Sequence, residues 1–512
     1  MVKEDLCVYQ VEEKKKIRYN NDDINRKIKE QDMKIGLDID NVITAFDERI
    51  YEEMLQEDKK KRNAGIVNPT GDWIKYLLDW SQDEIDDFFN QNMERIAKDL
   101  KPKKDAKYYI DKLLKQGHEI YLISHRAYPH YQRPYETTVN WLKENRIEYT
   151  ELVLTESTNK TKECKQCQVD IMFDDVQSNC HKLIEGGVNC YLVETKYNKK
   201  NREGLKVVGS WKDIYQTINQ LAVTKLEKVH VILDTDTNNE ADDQFALAYL
   251  LKSKDRIILD AVTIAPYMHE KESSIEEGIE KSYKVASQVF DLLGEDKTNL
   301  IYKGSTDYRT NGYQEENEAV RKIVEVVMKN EVTYLLAIGA ITNVAIAIEK
   351  HPEIINKIKV IWLGGHSFLS QSNREFNFKQ DLMADRIVFQ SKVDLTVIPC
   401  ENVSSNLVTT IYELQEHFNI QEGLGKFLYD RFYCDGLHGF TPRRTIWDIA
   451  VIGYMINPYW FEVSKISCPE INDDLEYVLT EGLHQVTFVH QIEVNNIFKD
   501  MFRKIGDKNE IR

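Results

Sequence analysis

The feature that most constrains this chain is an apolar strand ending in Asp-x-Asp, and it occurs twice, at 34–40 (KIGLDID) and 231–236 (VILDTD). A short apolar run that stops on carboxylates reads as a strand buried on both faces, with its end opening into a cleft. After the first come HEIYLIS (118–124), VDIMFDD (169–175) and VNCYLVE (188–194), separated by helical stretches such as 106–116 and 135–145. After the second come RIILDAVT (256–263), TYLLAIG (333–339), KVIWLGG (359–365) and DLTVIP (394–399). Strands alternating with helices predict parallel sheets covered on both faces, so the fold class is α/β. The residues following the two Asp-x-Asp pairs differ, which makes the restart a second domain and not an internal repeat. The expected layout is a charged N-terminal extension at 1–32, a first domain at 33–222 with a helical insertion at about 46–105, and a second domain at 223–512.

Composition bounds what such a chain can do. At about 150 residues per domain, 512 residues make two to four domains, and 42% apolar with 30% charged residues is a globular balance. No apolar run approaches the roughly 18 residues of a membrane span. The N-terminus is too charged for a signal peptide, which predicts a cytoplasmic protein without a membrane partner. The formal charge of 68 basic against 85 acidic residues is −17, so an acidic surface disfavours nucleic-acid polymers. A small phosphorylated substrate remains compatible with a locally positive site. Eight cysteines are too sparse for a disulfide scaffold. The one Cys-x-x-Cys, Cys164 to Cys167, has no second pair and reads as an ordinary helical pair.

Asp38 and Asp40 close the first strand. Carboxylates two apart at a turning strand end can share a cleft, hold a hard cation such as Mg²⁺, or divide nucleophilic and proton-transfer roles. Ser124 ends the next strand, Lys160 precedes a third, and Asp174-Asp175 ends that one. This ordered set, with the helical insertion after the first motif, resembles the haloacid dehalogenase superfamily, and most of all its cytosolic 5′-(deoxy)nucleotidases, over roughly 33–215. The resemblance implies a Rossmann-like domain with a helical cap. It implies Asp38 as the nucleophile that becomes an aspartyl phosphate, Asp40 as acid and base, and Ser124 and Lys160 as phosphate ligands. Mg²⁺ would be held by Asp38, the Asp40 carbonyl, Asp174 and Asp175. A degenerate domain that keeps only the scaffold is the alternative.

The second strand runs into Asp234-Thr-Asp236-Thr-Asn-Asn-Glu-Ala-Asp242-Asp243, followed at once by the apolar helix Phe245 to Leu250. Four carboxylates in ten residues repel unless a cation or shared protons intervene. A helix dipole accounts for Asp242 and Asp243 but not for Asp234 and Asp236. The segment resembles the inosine–uridine nucleoside hydrolases. LLAIGAITNVAIAI (335–348), IWLGGH (361–366), Glu375-Phe-Asn377 with Asp381, and TIWDIAVIGYMI (445–456) follow in the family's order over about 228–500. By resemblance, Asp236, Asp243, Asp448 and the Ile338 carbonyl would bind Ca²⁺, and Asp236 would deprotonate a metal-bound water. Asp242, Glu375 and Asn377 would grip the ribose. The turn between Asp236 and Asp242 is two residues longer than the common fingerprint. Trp447 stands where pyrimidine-accepting members often carry a histidine and purine-preferring members a tryptophan, which implies base stacking; packing in the core is the alternative. His438 is a candidate leaving-group acid or a plain loop histidine.

Together the two halves predict a bifunctional enzyme of nucleotide catabolism or salvage, which removes the 5′-phosphate and then releases the base, with purines preferred. Its partners would be small nucleotides and nucleosides, and the second family's habit implies a dimer or tetramer. A nucleotide-binding regulator without turnover is the alternative, and so are two sites acting on unrelated metabolites.

Overall fold

A computed structural model describes residues 33–508 except 69–75, 201, 270–271, 371, 434–441 and 481. His438 lies outside the described residues. The chain forms two compact units that meet in sequence at Lys225–Leu226.

The first unit is built on six parallel strands: β1 (Lys34–Leu37), β2 (Glu119–His125), β3 (Glu151–Thr155), β4 (Ile171–Asp174), β5 (Cys190–Val193) and β6 (Lys206–Val208). Their order is β3-β2-β1-β4-β5-β6. The chain steps from β1 outward to β2 and β3, then returns to β4 on the other side. That reversal puts a crevice at the carboxyl ends of β1 and β4, the position at which open α/β sheets bind ligands. Between β1 and β2 lie the helices Phe46–Lys61 and Gln82–Lys98. The latter starts in a capping box, with Ser81 and Glu84 each satisfying the other's backbone N–H. The Cys164–Cys167 pair falls in the helix Thr161–Cys167, with both thiols free.

The second unit holds β7 (Val229–Thr235), β8 (Ile257–Ile264), β9 (Ile301–Lys303), β10 (Thr333–Ala337), β11 (Ile358–Leu363) and β12 (Asp394–Ile398). A small ribbon of β13 (Val408–Thr410) and β14 (Arg443–Thr445) follows, then β15 (Phe461–Ser467), the pair β16 (Glu470–Ile471) and β17 (Tyr477–Val478), and β18 (Gln485–Ile492). The eight-stranded order is β15-β18-β12-β11-β10-β7-β8-β9. All neighbours are parallel except β15 and β18, so the expected parallel sheet carries an antiparallel edge pair. Alternate residues pack into two cores. Val231, Leu233, Leu336 and Ile361 join one, while Ile232, Leu335, Ala337 and Val360 join the other. Burial of both faces is why these strands read as continuous apolar runs. The helix Asp242–Leu251 after β7 is buried along all ten residues, which explains its lack of a polar face. Reversal of strand order between β7 and β10 again places the switch point beside the second Asp-x-Asp. Among the described residues no helix is long and apolar enough to cross a membrane.

Candidate active sites

In the first unit the sheet delivers its carboxylates to one crevice. Asp38 follows β1 and its backbone N–H donates to the Phe173 carbonyl at 2.9 Å, which ties it to β4. Asp38, Asp174 and Asp175 are buried, with carboxylate oxygens within 4.8 Å of one another. The ammonium of Lys160, 1% exposed, bridges Asp38 Oδ1 at 2.9 Å and Asp174 Oδ2 at 2.7 Å. Burial alone would lower this lysine, but the two aspartates outweigh it and hold the group above its ordinary value. Burial raises Asp174, with Lys160 opposing; burial and the charges of Asp174 and Asp38 raise Asp175 well above the carboxylate range. Three crowded, desolvated carboxylates with hard oxygen donors suit Mg²⁺, which would relieve their repulsion. Ser124 is buried near the end of β2, on the same carboxyl edge of the sheet.

Residues that sequence reasoning passed over orient this set. Asn41, held at φ 60°, donates its amide to Asp47 Oδ1 at 2.9 Å and to Asp175 Oδ2 at 2.8 Å. Asn198 donates to the Asp175 carbonyl at 2.7 Å. Arg126, 1% exposed, grips both carboxylate oxygens of Asp40. The only sequence signal for Arg126 was a cation two residues beyond Ser124.

In the second unit Asp242, Asp243 and Asp448 are buried, and their carboxylate oxygens also lie within 4.8 Å of one another. Burial raises all three and Asp236. The next causes are Asp243 and Asp242 for Asp236, Glu240 and Asp243 for Asp242, and Asp242 and Asp243 for Asp448. Asp243 is pushed up to about 7 by burial, against a stabilising hydrogen bond from Thr235. Glu240 lies in the turn between Asp236 and Asp242, and its charge adds to the cluster. An all-oxygen, multiply anionic shell fits Ca²⁺ by its donor chemistry. A Cβ at Gly339 would stand 3.2 Å from Asp236 Oδ1 and 2.9 Å from the Ala265 Cβ, so this strand end has room only for glycine.

The remaining expected residues are engaged locally. The Ile338 carbonyl accepts from Asn377 Nδ2 at 3.2 Å, and the same amide reaches the Leu363 carbonyl at 3.0 Å. Glu375 caps the short helix Phe376–Gln380: its carboxylate accepts backbone N–H groups from Gly365, Asn377 and Phe378 at 2.9–3.0 Å. Trp447 is half-buried against the larger core, and its backbone N–H donates to Asp242 Oδ2 at 3.0 Å. Asp234 is turned inward, accepting from Thr263 and Asn343. Asp381 accepts from Arg309, Thr310, Thr342 and Ala384, organising a loop and a helix start.

Comparison with known proteins bears on both units. Residues 231–496 match the family model described as inosine-uridine preferring nucleoside hydrolase. Residues 32–226 match that described as 5′ nucleotidase, deoxy (Pyrimidine), cytosolic type C protein. A nucleotidase of Clostridium acetobutylicum is 24% identical over 194 residues, covering 37% of this chain and 96% of that protein. The inosine-uridine preferring nucleoside hydrolase of Crithidia fasciculata is 26% identical over 185 residues, covering 34% of this chain and 57% of that protein. Uridine nucleosidase 1 of Arabidopsis thaliana is 31% identical over 134 residues, covering 24% and 39%. The chain thus spans nearly all of the nucleotidase but about half of each nucleosidase.

Proposed function

Because the chain belongs to the inosine-uridine preferring nucleoside hydrolase family through residues 231–496, and is fused to a cytosolic-type 5′-nucleotidase domain at 32–226, we propose that one polypeptide removes the phosphate of a nucleoside 5′-monophosphate and then cleaves the nucleoside to base and ribose. One observation carries this reading. Each unit gathers buried carboxylates at the switch point of its own sheet, and in the first Lys160 sits between Asp38 and Asp174.

In the nucleotidase site, Asp38 attacks phosphorus and Asp40 gives its proton to the departing 5′ oxygen. Asp40 then takes a proton from the water that hydrolyses the aspartyl phosphate. Lys160 and Ser124 hold the phosphate oxygens. Asp38, the Asp40 carbonyl, Asp174 and Asp175 would hold Mg²⁺, which would supply charge neutralisation. In the hydrolase site, Asp236 takes a proton from the attacking water, and Asp242 with Glu375 and Asn377 holds the sugar as it flattens toward an oxocarbenium-like state. Asp236, Asp243, Asp448 and the Ile338 carbonyl would hold Ca²⁺, which would supply Lewis acidity at that water. Trp447, anchored beside Asp242, stacks the base and favours purines. The order of reactions follows from charge, since Glu375 near the sugar's 5′ end would repel a phosphate. A dimer or tetramer is the assembly that goes with the second family, and light scattering reads it.

The test is a time course on a panel of nucleoside monophosphates, with phosphate, nucleoside and free base all quantified. Phosphate followed by base is the expected sequence. Binding without release of either would replace the enzyme by a nucleotide-binding regulator.

A further inference from the structure

Arg126 is a buried cation of the first unit's crevice that the mechanism above does not use. It follows β2 directly and stands two residues beyond Ser124, yet its side chain is fully buried while Asp40 keeps 19% of its side chain exposed. Its Nε donates to Asp40 Oδ2 at 3.2 Å and its Nη2 to Asp40 Oδ1. A guanidinium that meets a carboxylate edge-on fixes both the distance and the plane of that carboxylate. The guanidinium is itself immobilised. Nη1 donates to Thr138 Oγ1 at 3.2 Å, and that hydroxyl donates onward to the Pro134 carbonyl at 2.7 Å. Its face lies 5.6 Å from the centre of the buried Tyr131 ring. The segment carrying Arg126 and Tyr131 is anchored from the insertion, where Glu94 accepts from Gln132 N, Arg133 N and Thr137 Oγ1 at 2.9–3.2 Å.

We propose that Arg126 is a positioning residue for the nucleotidase reaction, holding the Asp40 carboxyl so that Oδ2 faces the ester oxygen that departs from phosphorus. The inference rests on the nucleotidase reading and deepens it. In the first half-reaction an Asp38 oxygen forms a bond to phosphorus, the bond from phosphorus to the 5′ oxygen breaks, and the proton on Asp40 passes to that oxygen. The products are a neutral alcohol, the aspartyl phosphate and the Asp40 carboxylate. Water then attacks phosphorus, Asp40 recovers a proton from it, and the bond between phosphorus and Asp38 breaks. Oδ1 also accepts from Thr44 Oγ1 at 3.3 Å, so the second lone pair of Oδ2, beyond the one that Arg126 Nε occupies, is the one that serves proton transfer.

The effect of misplacing a general acid depends on the leaving group. A sugar 5′-alkoxide needs a proton to depart, whereas p-nitrophenolate leaves as a stable anion. General acid–base catalysis contributes about 10²–10⁴-fold, and loosening the acid forfeits part of that. The measurement is kcat/KM, which reports phosphoryl transfer to Asp38, for a nucleoside monophosphate and for p-nitrophenyl phosphate on the same preparation. Any unfolded fraction cancels in their ratio. Arg126→Met should lower the ratio of nucleotide to p-nitrophenyl phosphate turnover by about 10–100-fold, and Arg126→Lys, which keeps the charge without the fork, should fall between. Adding Arg126→Met to Asp40→Asn should change the ratio no further. Equal losses on both substrates in both Arg126 variants would overturn the positioning role and leave the site reading intact. Phosphate release surviving in Asp38→Asn would instead remove the nucleotidase reading itself.

Discussion

Asp448→Asn should destabilise the second unit when calcium is present and stabilise it when calcium is chelated. The carboxylate oxygens of Asp448, Asp242 and Asp243 lie within 4.8 Å of one another. At that separation, with an effective dielectric near 20, each pair of unit charges repels by roughly 3 kcal/mol. Removing the charge of Asp448 relieves two such pairs. Protonation sets a ceiling on the relief: neutralising an ordinary carboxyl near pH 8 costs about 1.4 kcal/mol for each of roughly four pH units. Relaxation of the cluster and the burial of a new amide reduce it further, so on the order of 2 kcal/mol is the expected gain in chelator. For a unit of 287 residues, at about 2.1 cal/mol/K of unfolding entropy per residue, that is a rise of about 3 °C in midpoint.

With calcium the sign reverses, because the wild-type cluster gains RT ln(1 + [Ca²⁺]/Kd) and the variant has lost an anionic ligand. The assay is thermal unfolding of the full chain in EGTA and across a calcium titration, following the transition that moves with the ion. Wild-type and variant curves should cross as calcium rises. If Asp448→Asn is less stable by the same margin in EGTA and in calcium, the three carboxylates are not held against their mutual repulsion, and the reading of this cluster as a cation site fails.

Asp38→Asn should reduce phosphate release by roughly 10⁴ or more while base release from a supplied nucleoside persists, since the two clusters lie in separate units; near-normal phosphatase activity in this variant removes Asp38 from the nucleophile's place. In the first unit, burial pulls the His118 imidazole from 6.5 down to about 4, and the Met33 N–H donates to its Nδ1 at 3.1 Å. The unfolded chain takes up that proton at the higher pH, so this contribution is intact above about 6.5 and is lost as pH falls toward 4, by roughly 3 kcal/mol in all. His118→Asn retains an acceptor for Met33 and should flatten that slope in denaturant titrations at several pH values; an unchanged slope assigns the acid sensitivity elsewhere. Stacking on Trp447, worth roughly 1–3 kcal/mol per base, should make inosine, guanosine or adenosine about tenfold to a hundredfold better substrates than uridine or cytidine. A nucleoside panel in which uridine is best, or in which Trp447→Ala leaves the purine-to-pyrimidine ratio unchanged, refutes this.

What could be read from the sequence follows from which interactions are local. Strands buried on both faces announce themselves, as in Val231–Ile232–Leu233 and Ile171–Met172–Phe173, whose every residue is buried. The edge strands β3, β6 and β9 gave no such run, because Glu151, Lys206 and Lys303 face outward to some degree and each strand is only three to five residues long. The antiparallel pair β15 and β18 was missed for a related reason. Its members mix buried and exposed residues, as edge strands do, and they pair with a register irregularity between Glu462 and Val463.

The same division governs the sites. Carboxylates at the ends of buried strands were legible because topology alone brings strand ends together at a switch point. Partners that come from loops were not. Arg126 reaches Asp40 across 86 residues, and Asn41 reaches Asp175 across 134. None of these lies in a periodic pattern, and an arginine or asparagine in a loop is ordinarily solvated. Glu375 shows the converse: its place in a motif suggested a sugar ligand, while its carboxylate closes three backbone N–H groups at a helix start. A sugar hydroxyl offered to Glu375 would therefore have to share oxygens already committed to Gly365, Asn377 and Phe378. Those three bonds fix the orientation of the carboxylate, so the ribose contact proposed for Glu375 would depend on the fold of the loop that carries it.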